Sequence, residues 1–302
     1  MPSPVVKPLA AILCVGVLLA GCSGDTEDPA TVFATGLVGA LGKVRATSDT
    51  RVAVEYGAPA RVRELGERFR TLEGYGFGTI ANSAKLVDEA IGVDPGAFDE
   101  GITVGQPPRW GAVLWGDYDV AAVDERLGGL EIERSGQDGA TLWTSGKDLE
   151  IDFDGPFVGV VQTNQFNNIR TADGSFAFAP ALAGVEWVTD AGDETLAGDD
   201  RISGLARCLG DVVAARIDEG AGAAGVREDG TEVFCLAADR DGVEKELDGD
   251  VPSTGEPWDE LLPGARVEVD GELVRVIAPG RDGEPVGRAL RAMTTGDLRT
   301  FT

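Results

Sequence analysis

Residues 267–279 read VEVDGELVRVIAP. Two short runs rich in valine flank Asp270-Gly271, and polar side chains alternate within them. That pattern predicts a β-hairpin with Asp270-Gly271 as a type I′ turn, because both central residues of that turn need positive φ. The same grammar recurs at 168–180, NIRTADGSFAFAP, about Asp173-Gly174. It recurs again where Leu130–Arg134 and Thr141–Trp143 flank Asp138-Gly139. Thr50–Tyr56, Val212–Ile217 and Thr231–Leu236 read as further strands, and Arg109–Tyr118, apolar on both faces, reads as a central one.

Between these strands, Thr31–Val44, Pro59–Phe69, Ile80–Ile91 and Arg201–Leu209 carry apolar residues at helical spacing, and Val286–Leu298 does so weakly. Asp119 is placed to cap the helix VAAVDERLGG, which should stop at Gly128-Gly129. Hairpins alternating with helices predict an α+β fold, antiparallel sheets packed with helices on one face, rather than regular βαβ winding. A run of helix, Leu-Gly, strand, Asp-Gly, strand occurs twice, its Asp-Gly turns 91 residues apart at Asp138 and Asp229. Two related α+β halves are therefore expected, residues 30–160 and 161–302.

The chain has 302 residues, 43% hydrophobic and 26% charged, which suits a globular protein with a sizeable core. Acidic residues number 52 against 26 basic, a net charge of −26. Such a surface repels nucleic-acid phosphates and anionic lipid headgroups alike, so nucleic acid is excluded as a partner and membrane attachment must be covalent or hydrophobic. The sequence contains no histidine. Ser-His-Asp and Cys-His catalysis are thereby excluded, along with the commonest zinc ligand.

At the N-terminus, Lys7 precedes an apolar run, PLAAILCVGVLLA, from Pro8 to Ala20. Thirteen residues fall short of the roughly 20 needed to span a bilayer, but they suit the h-region of a signal peptide. Leu19-Ala20-Gly21-Cys22 then matches a lipobox. The expectation is a lipoprotein signal over residues 1–21, removed on maturation, with Cys22 carrying a diacylglycerol. Residues 22–29 follow as a polar tether, and the partner expected through Cys22 is the membrane. Two acyl chains suffice for stable anchoring where one does not. Cys14 leaves with the signal. Cys208 and Cys235 remain as an even pair outside the cytoplasm, which predicts a disulfide. Closing that loop is worth about 3 kcal/mol in the chain-entropy model.

Three motifs suggest chemistry. Gly220-Ala-Gly222-Ala-Ala-Gly225 matches the dinucleotide-binding pattern, but Gly230 and a strand follow where a phosphate-binding helix is required, so a mobile hairpin loop is expected. Asp239, Asp241, Glu244, Glu246, Asp248 and Asp250 form an acidic cluster lacking the calcium-loop spacing; a solvated acidic loop is expected there. Asp117 and Asp119, near Trp110, Trp115 and Tyr118, provide the carboxylates and aromatics a sugar-cleaving site needs; helix capping and core packing account for them as well. No catalytic, cofactor or metal residues are assigned.

The lipobox, VGQPPRW (104–110), the Gly-Asp-Tyr-Asp step at 116–119, QFNNIR (165–170) and LARCLGDVVAA (205–215) together resemble a group of actinobacterial lipoproteins of unknown function. The resemblance spans most of residues 30–245. It implies an extracytoplasmic location and a shared fold, and carries no chemistry. The function expected is a non-catalytic surface lipoprotein that binds or scaffolds another envelope component, protein or ligand. A solute-binding transporter subunit is the alternative, with a carboxylate-based cell-wall hydrolase behind it.

Overall fold

Among the described residues, short connections join six pairs of neighbouring strands. The computed structural model describes residues 36–137, 139–162 and 164–301, all belonging to one unit. The expected signal, Cys22 and the tether lie outside the described residues. In chain order the elements are α1 (Gly36–Leu41), β1 (Ala53–Gly57), α2 (Pro59–Leu65), α3 (Ala84–Ile91), β2 (Glu100–Gln106), β3 (Arg109–Trp115) and α4 (Val120–Gly128). Then come β4 (Glu133–Gln137), β5 (Ala140–Thr144), β6 (Asn168–Ala172), β7 (Ser175–Ala179), α5 (Leu182–Thr189), α6 (Asp200–Leu209) and β8 (Ala214–Asp218). The chain ends with β9 (Gly222–Val226), β10 (Glu232–Leu236), α7 (Arg240–Leu247), α8 (Trp258–Leu261), β11 (Arg266–Asp270), β12 (Leu273–Ala278) and α9 (Arg288–Thr295).

The fold is α+β, as the hairpins imply. All twelve strands join one antiparallel sheet, ordered β11-β12-β10-β9-β8-β1-β2-β3-β7-β6-β5-β4. β1 and β8 lie side by side at its middle, with Glu55 opposite Arg216. Outward from that pair the order repeats: β1-β2-β3-β7-β6 on one side and β8-β9-β10-β12-β11 on the other. The register repeats too. Asn168 pairs with Ala179 at the base of one outer hairpin, and Arg266 pairs with Ile277 in the other. α1 and α6 precede the two halves, and α4 and α7 interrupt them after the third strand. The β4–β5 hairpin is an extension of the first half alone.

Strand order thus repeats about the β1–β8 pair within one unit, with a correspondence other than the one expected. The added β4–β5 hairpin pairs Gln137 with Ala140, whereas Asp229-Gly230 joins β9 to β10 and matches the Pro107-Pro108 turn between β2 and β3. A division at 160/161 would separate β5 from β6, which pair directly. The repeat changes over between α5 and α6. The 267–279 hairpin turns one residue later than its sequence suggests: Asp270 still pairs with Leu273, leaving Gly271-Glu272 in the turn.

Helices cover both faces, not one. On one face α1, α5 and α6 set Leu37, Leu41, Val185, Val188, Ile202 and Leu205 on Val54, Tyr56, Val104, Val113 and Ile217. On the other, α3 and α4 cover the first half over Leu114, Phe176 and Phe178, while α7, α8 and α9 cover the second over Phe234, Leu236 and Val276. Full burial of each such side chain is worth about 1.5–3 kcal/mol. β9, GAAGV, is buried along its whole length between α6 and α9. Its small residues let both helices and the neighbouring strands approach; a Cβ on Gly225 would fall 2.9 Å from Val212 Cγ1 and 3.1 Å from the Ala214 carbonyl oxygen. The expected mobile glycine loop is thus a central strand. The expected acidic loop after Asp239 is α7, capped when Asp239 accepts from the Gly242 amide at 3.0 Å.

Candidate functional site

Large apolar side chains left in water mark surfaces that other molecules cover. Among the described residues six are exposed, and four of them, Leu149, Ile151, Phe153 and Val158, fall in one stretch between β5 and β6. Phe153 keeps 75% of its surface accessible and Ile151 50%. Acids alternate with them: Asp148, Glu150, Asp152 and Asp154. The result is an apolar ridge in an acidic frame.

The segment is held in place by its neighbours. Asn167 donates from Nδ2 to the carbonyls of Lys147 at 2.8 Å and Glu150 at 2.9 Å, and Asn164 donates to that of Leu149 at 3.2 Å. Asp148 Oδ1 accepts from Asn168 Nδ2 at 3.1 Å and from the Leu182 amide at 2.9 Å. The Leu149 amide donates to the Pro180 carbonyl at 2.7 Å, which helps keep Leu149 in the left-handed region, φ 61°. Phe157 turns inward and meets Phe166 edge-on at 5.2 Å, anchoring the ridge in the first-half core. A surface ordered in advance loses less conformational entropy when it binds.

Beside the ridge lies a cleft of about 500 Å³. Glu131, Glu133, Glu150 and Asp152 line it, against one cation, Lys147. Ridge and cleft together complement a polypeptide segment carrying both positive charge and apolar side chains. The sequence does hold a signal for this: DLEIDFD at 148–154 alternates like a strand. Periodicity cannot say that neither face is covered.

The residues singled out from sequence are placed as follows. Cys208 on α6 and Cys235 on β10 form a disulfide, stapling a helix to an inner strand of the sheet. Asp119 caps α4, accepting from the Ala122 amide at 3.0 Å. Trp110 and Tyr118 belong to the first-half core on one face, whereas Trp115 packs against the core of the opposite face. The aromatics thus do not converge on Asp117 and Asp119. Among the described residues no group of three or more acidic or cysteine side chains is arranged for a metal ion. Among them no helix is long and apolar enough to cross a membrane.

Sequence reasoning also missed a polar seam at the middle of the sheet. Glu55 lies 3.8 Å from Arg216, whose Nε donates to Asp218 at 3.1 Å. Burial pushes the Glu55 carboxyl above the ordinary carboxylate range, against the opposing pull of Arg216 and a hydrogen bond from the Gly76 backbone. The segment Gly74–Gly78 crosses directly over this seam; a Cβ on Gly57 would fall 2.1 Å from the Tyr75 carbonyl oxygen. On the opposite face Tyr56 donates to Glu100 at 3.0 Å, and burial together with that carboxylate raises its phenol.

No protein-family model matches the chain, and no curated protein matches it. A solved structure described as "Structure of crystal form I of TP0453" aligns over 86% of this chain and 98% of its own, at 12% identity and a TM-score of 0.35.

Proposed function

We propose that this protein is a lipid-anchored, non-catalytic component of the cell envelope that binds another envelope protein through the Leu149–Val158 ridge. The observation that carries the reading is the concentration of exposed apolar side chains on one hydrogen-bonded segment. The acids around it select a partner segment that is basic as well as apolar. The lipobox supports the anchor: a domain this acidic is repelled by anionic lipid, so Cys22 supplies the attachment.

Two measurements on the full chain in membranes test the reading. A photo-crosslinking side chain at position 153 should give one discrete protein adduct, lost in Ile151→Asp/Val158→Asp. The same probe at exposed Val269, on edge strand β11, should not give it. Absence of an adduct at 153, or the same adduct at both positions, overturns the binding role. Cys22→Ser should release the chain from the membrane and abolish lipid labelling; a labelled, membrane-bound variant overturns the anchor.

A further inference from the structure

A different cleft, of about 350 Å³, opens on the sheet face that carries α1 and α5. Val113 and Ser175 line it from the sheet, the ends of α1 and α5 flank it, and Lys43, Trp115, Arg170 and Thr189 complete the functional lining. It holds no carboxylate, in a chain with twice as many acids as bases. The four other clefts characterised among the described residues, including the one beside the ridge, each carry at least one.

Its two cations stand in different surroundings. Arg170, half-buried on β6 between Leu142 and Ala177, makes no ion pair and no side-chain hydrogen bond among the described residues. Most arginines of this acidic protein have a carboxylate close by, so an inner-strand guanidinium without one is conspicuous. Lys43 sits with Nζ 4.3 Å from the centre of the Trp115 ring. Lys43 Nζ also pairs with Glu100 Oε2 at 3.7 Å, while Oε1 of that carboxylate accepts from Tyr56 at 3.0 Å and from the Gly36 amide at 2.9 Å. Thr189 spends its proton on the Val185 carbonyl and keeps its oxygen as an acceptor, while the Ser175 hydroxyl has no partner among the described residues.

We propose that this cleft binds an anionic sugar, its phosphate or carboxylate held between Arg170 and Lys43, its ring against Trp115, and its hydroxyls on Ser175 and Thr189. A guanidinium fork matches either anion in two parallel hydrogen bonds, and an indole offers a flat apolar wall. The volume is near the lower end for ligand sites, which suits one ring rather than a dinucleotide. The site stands apart from the ridge and does not depend on it.

Calorimetric titration of the full chain tests this. Glucose 6-phosphate and glucuronate should bind, and glucose and inorganic phosphate more weakly by about tenfold or more, since each lacks half of the recognition. Arg170→Gln should weaken the charged sugars about tenfold or more. Lys43→Gln, at a half-exposed position, should weaken them in the same sense. Trp115→Leu should weaken them without changing inorganic phosphate. Tighter binding of glycerophosphoinositol than of glucose 6-phosphate identifies a lipid headgroup as the source of the sugar, and the reverse order a free one. The proposal is overturned if neither charged sugar binds at about 10 mM, if glucose binds as well as they do, or if Lys43→Gln and a folded Arg170→Gln both bind unchanged.

Discussion

Arg288 donates from Nε to the fully buried carboxylate of Glu232 at 2.9 Å, joining the first turn of α9 to β10. The same carboxylate accepts from the amides of Gly287 at 3.2 Å and Ala289 at 2.5 Å, so it also satisfies donors that the helix start leaves open.

Glu232→Ala should lower stability by about 3–5 kcal/mol, because it leaves a mostly buried guanidinium with only the half-exposed Glu284, 3.6 Å away, and strands two amides. Replacing both partners, Glu232→Leu with Arg288→Met, should recover most of that loss. Urea midpoints measure both; a single variant within about 0.5 kcal/mol of the parent would show the pair to be dispensable.

Removing the staple between α6 and β10 should cost about 2–4 kcal/mol. Cys208→Ala with Cys235→Ala, or chemical reduction, should lower the denaturation midpoint. The slope of the transition should steepen, since the unfolded chain then exposes more surface. An unchanged midpoint contradicts the expectation.

Asp297 is buried, which by itself would raise its carboxyl. Hydrogen bonds from Thr295 and from Ser253, at 2.8 Å from the amide and 2.7 Å from the hydroxyl, outweigh this and hold it below the usual carboxylate range. Between the folded and unfolded values the unfolded chain binds more protons. The stabilisation is therefore complete above the unfolded value of about 3.9 and disappears as pH falls through the folded one. Asp297→Asn should cost about 1–3 kcal/mol at pH 7, and the two melting curves should converge in acid. A gap that persists to the lowest pH at which both fold would refute the assignment.

The ridge and its anchor should respond oppositely. Phe153→Ser should stay within about 0.5 kcal/mol of the parent, whereas Phe157→Ala, four residues along, should cost about 3–5 kcal/mol. Thermal melts of the two variants check this, and equal effects would mean that Phe153 is covered in the isolated chain.

Asp119→Ala should cost about 1 kcal/mol through loss of the α4 cap, with Asp117→Ala close to neutral. A large loss at Asp117 would show a role that the hydrogen bonding does not reveal.

The parts of this fold legible in the sequence are those whose local signals agree with their surroundings. The Asp173-Gly174 hairpin, the Asp119 cap and the two-sided apolar run of β3 all point the same way at every scale. β9 was opaque because GAAGV carries no alternation and no β-branched residue before its last; burial between two helices, not propensity, makes it a strand. α7 reads as a loop because its polar face dominates RDGVEKEL and Val243 is its only buried residue. The expected repeat was misaligned because the Asp-Gly pairs it rests on fall between strands that do not correspond: β4–β5 is an added hairpin, β9–β10 a repeated one. The ridge and the Arg170 cleft depend on which neighbours are missing, and a single chain read along its length does not reveal that.

The sheet is also a spacer. Eleven gaps between its twelve strands, at about 4.8 Å each, put the edge strands β4 and β11 roughly 50 Å apart along the sheet. The Debye length at physiological ionic strength is about 8 Å. Charge gained or lost at one rim is therefore electrically silent at the other, so the two ends of the sheet can carry differently charged surfaces without sensing each other.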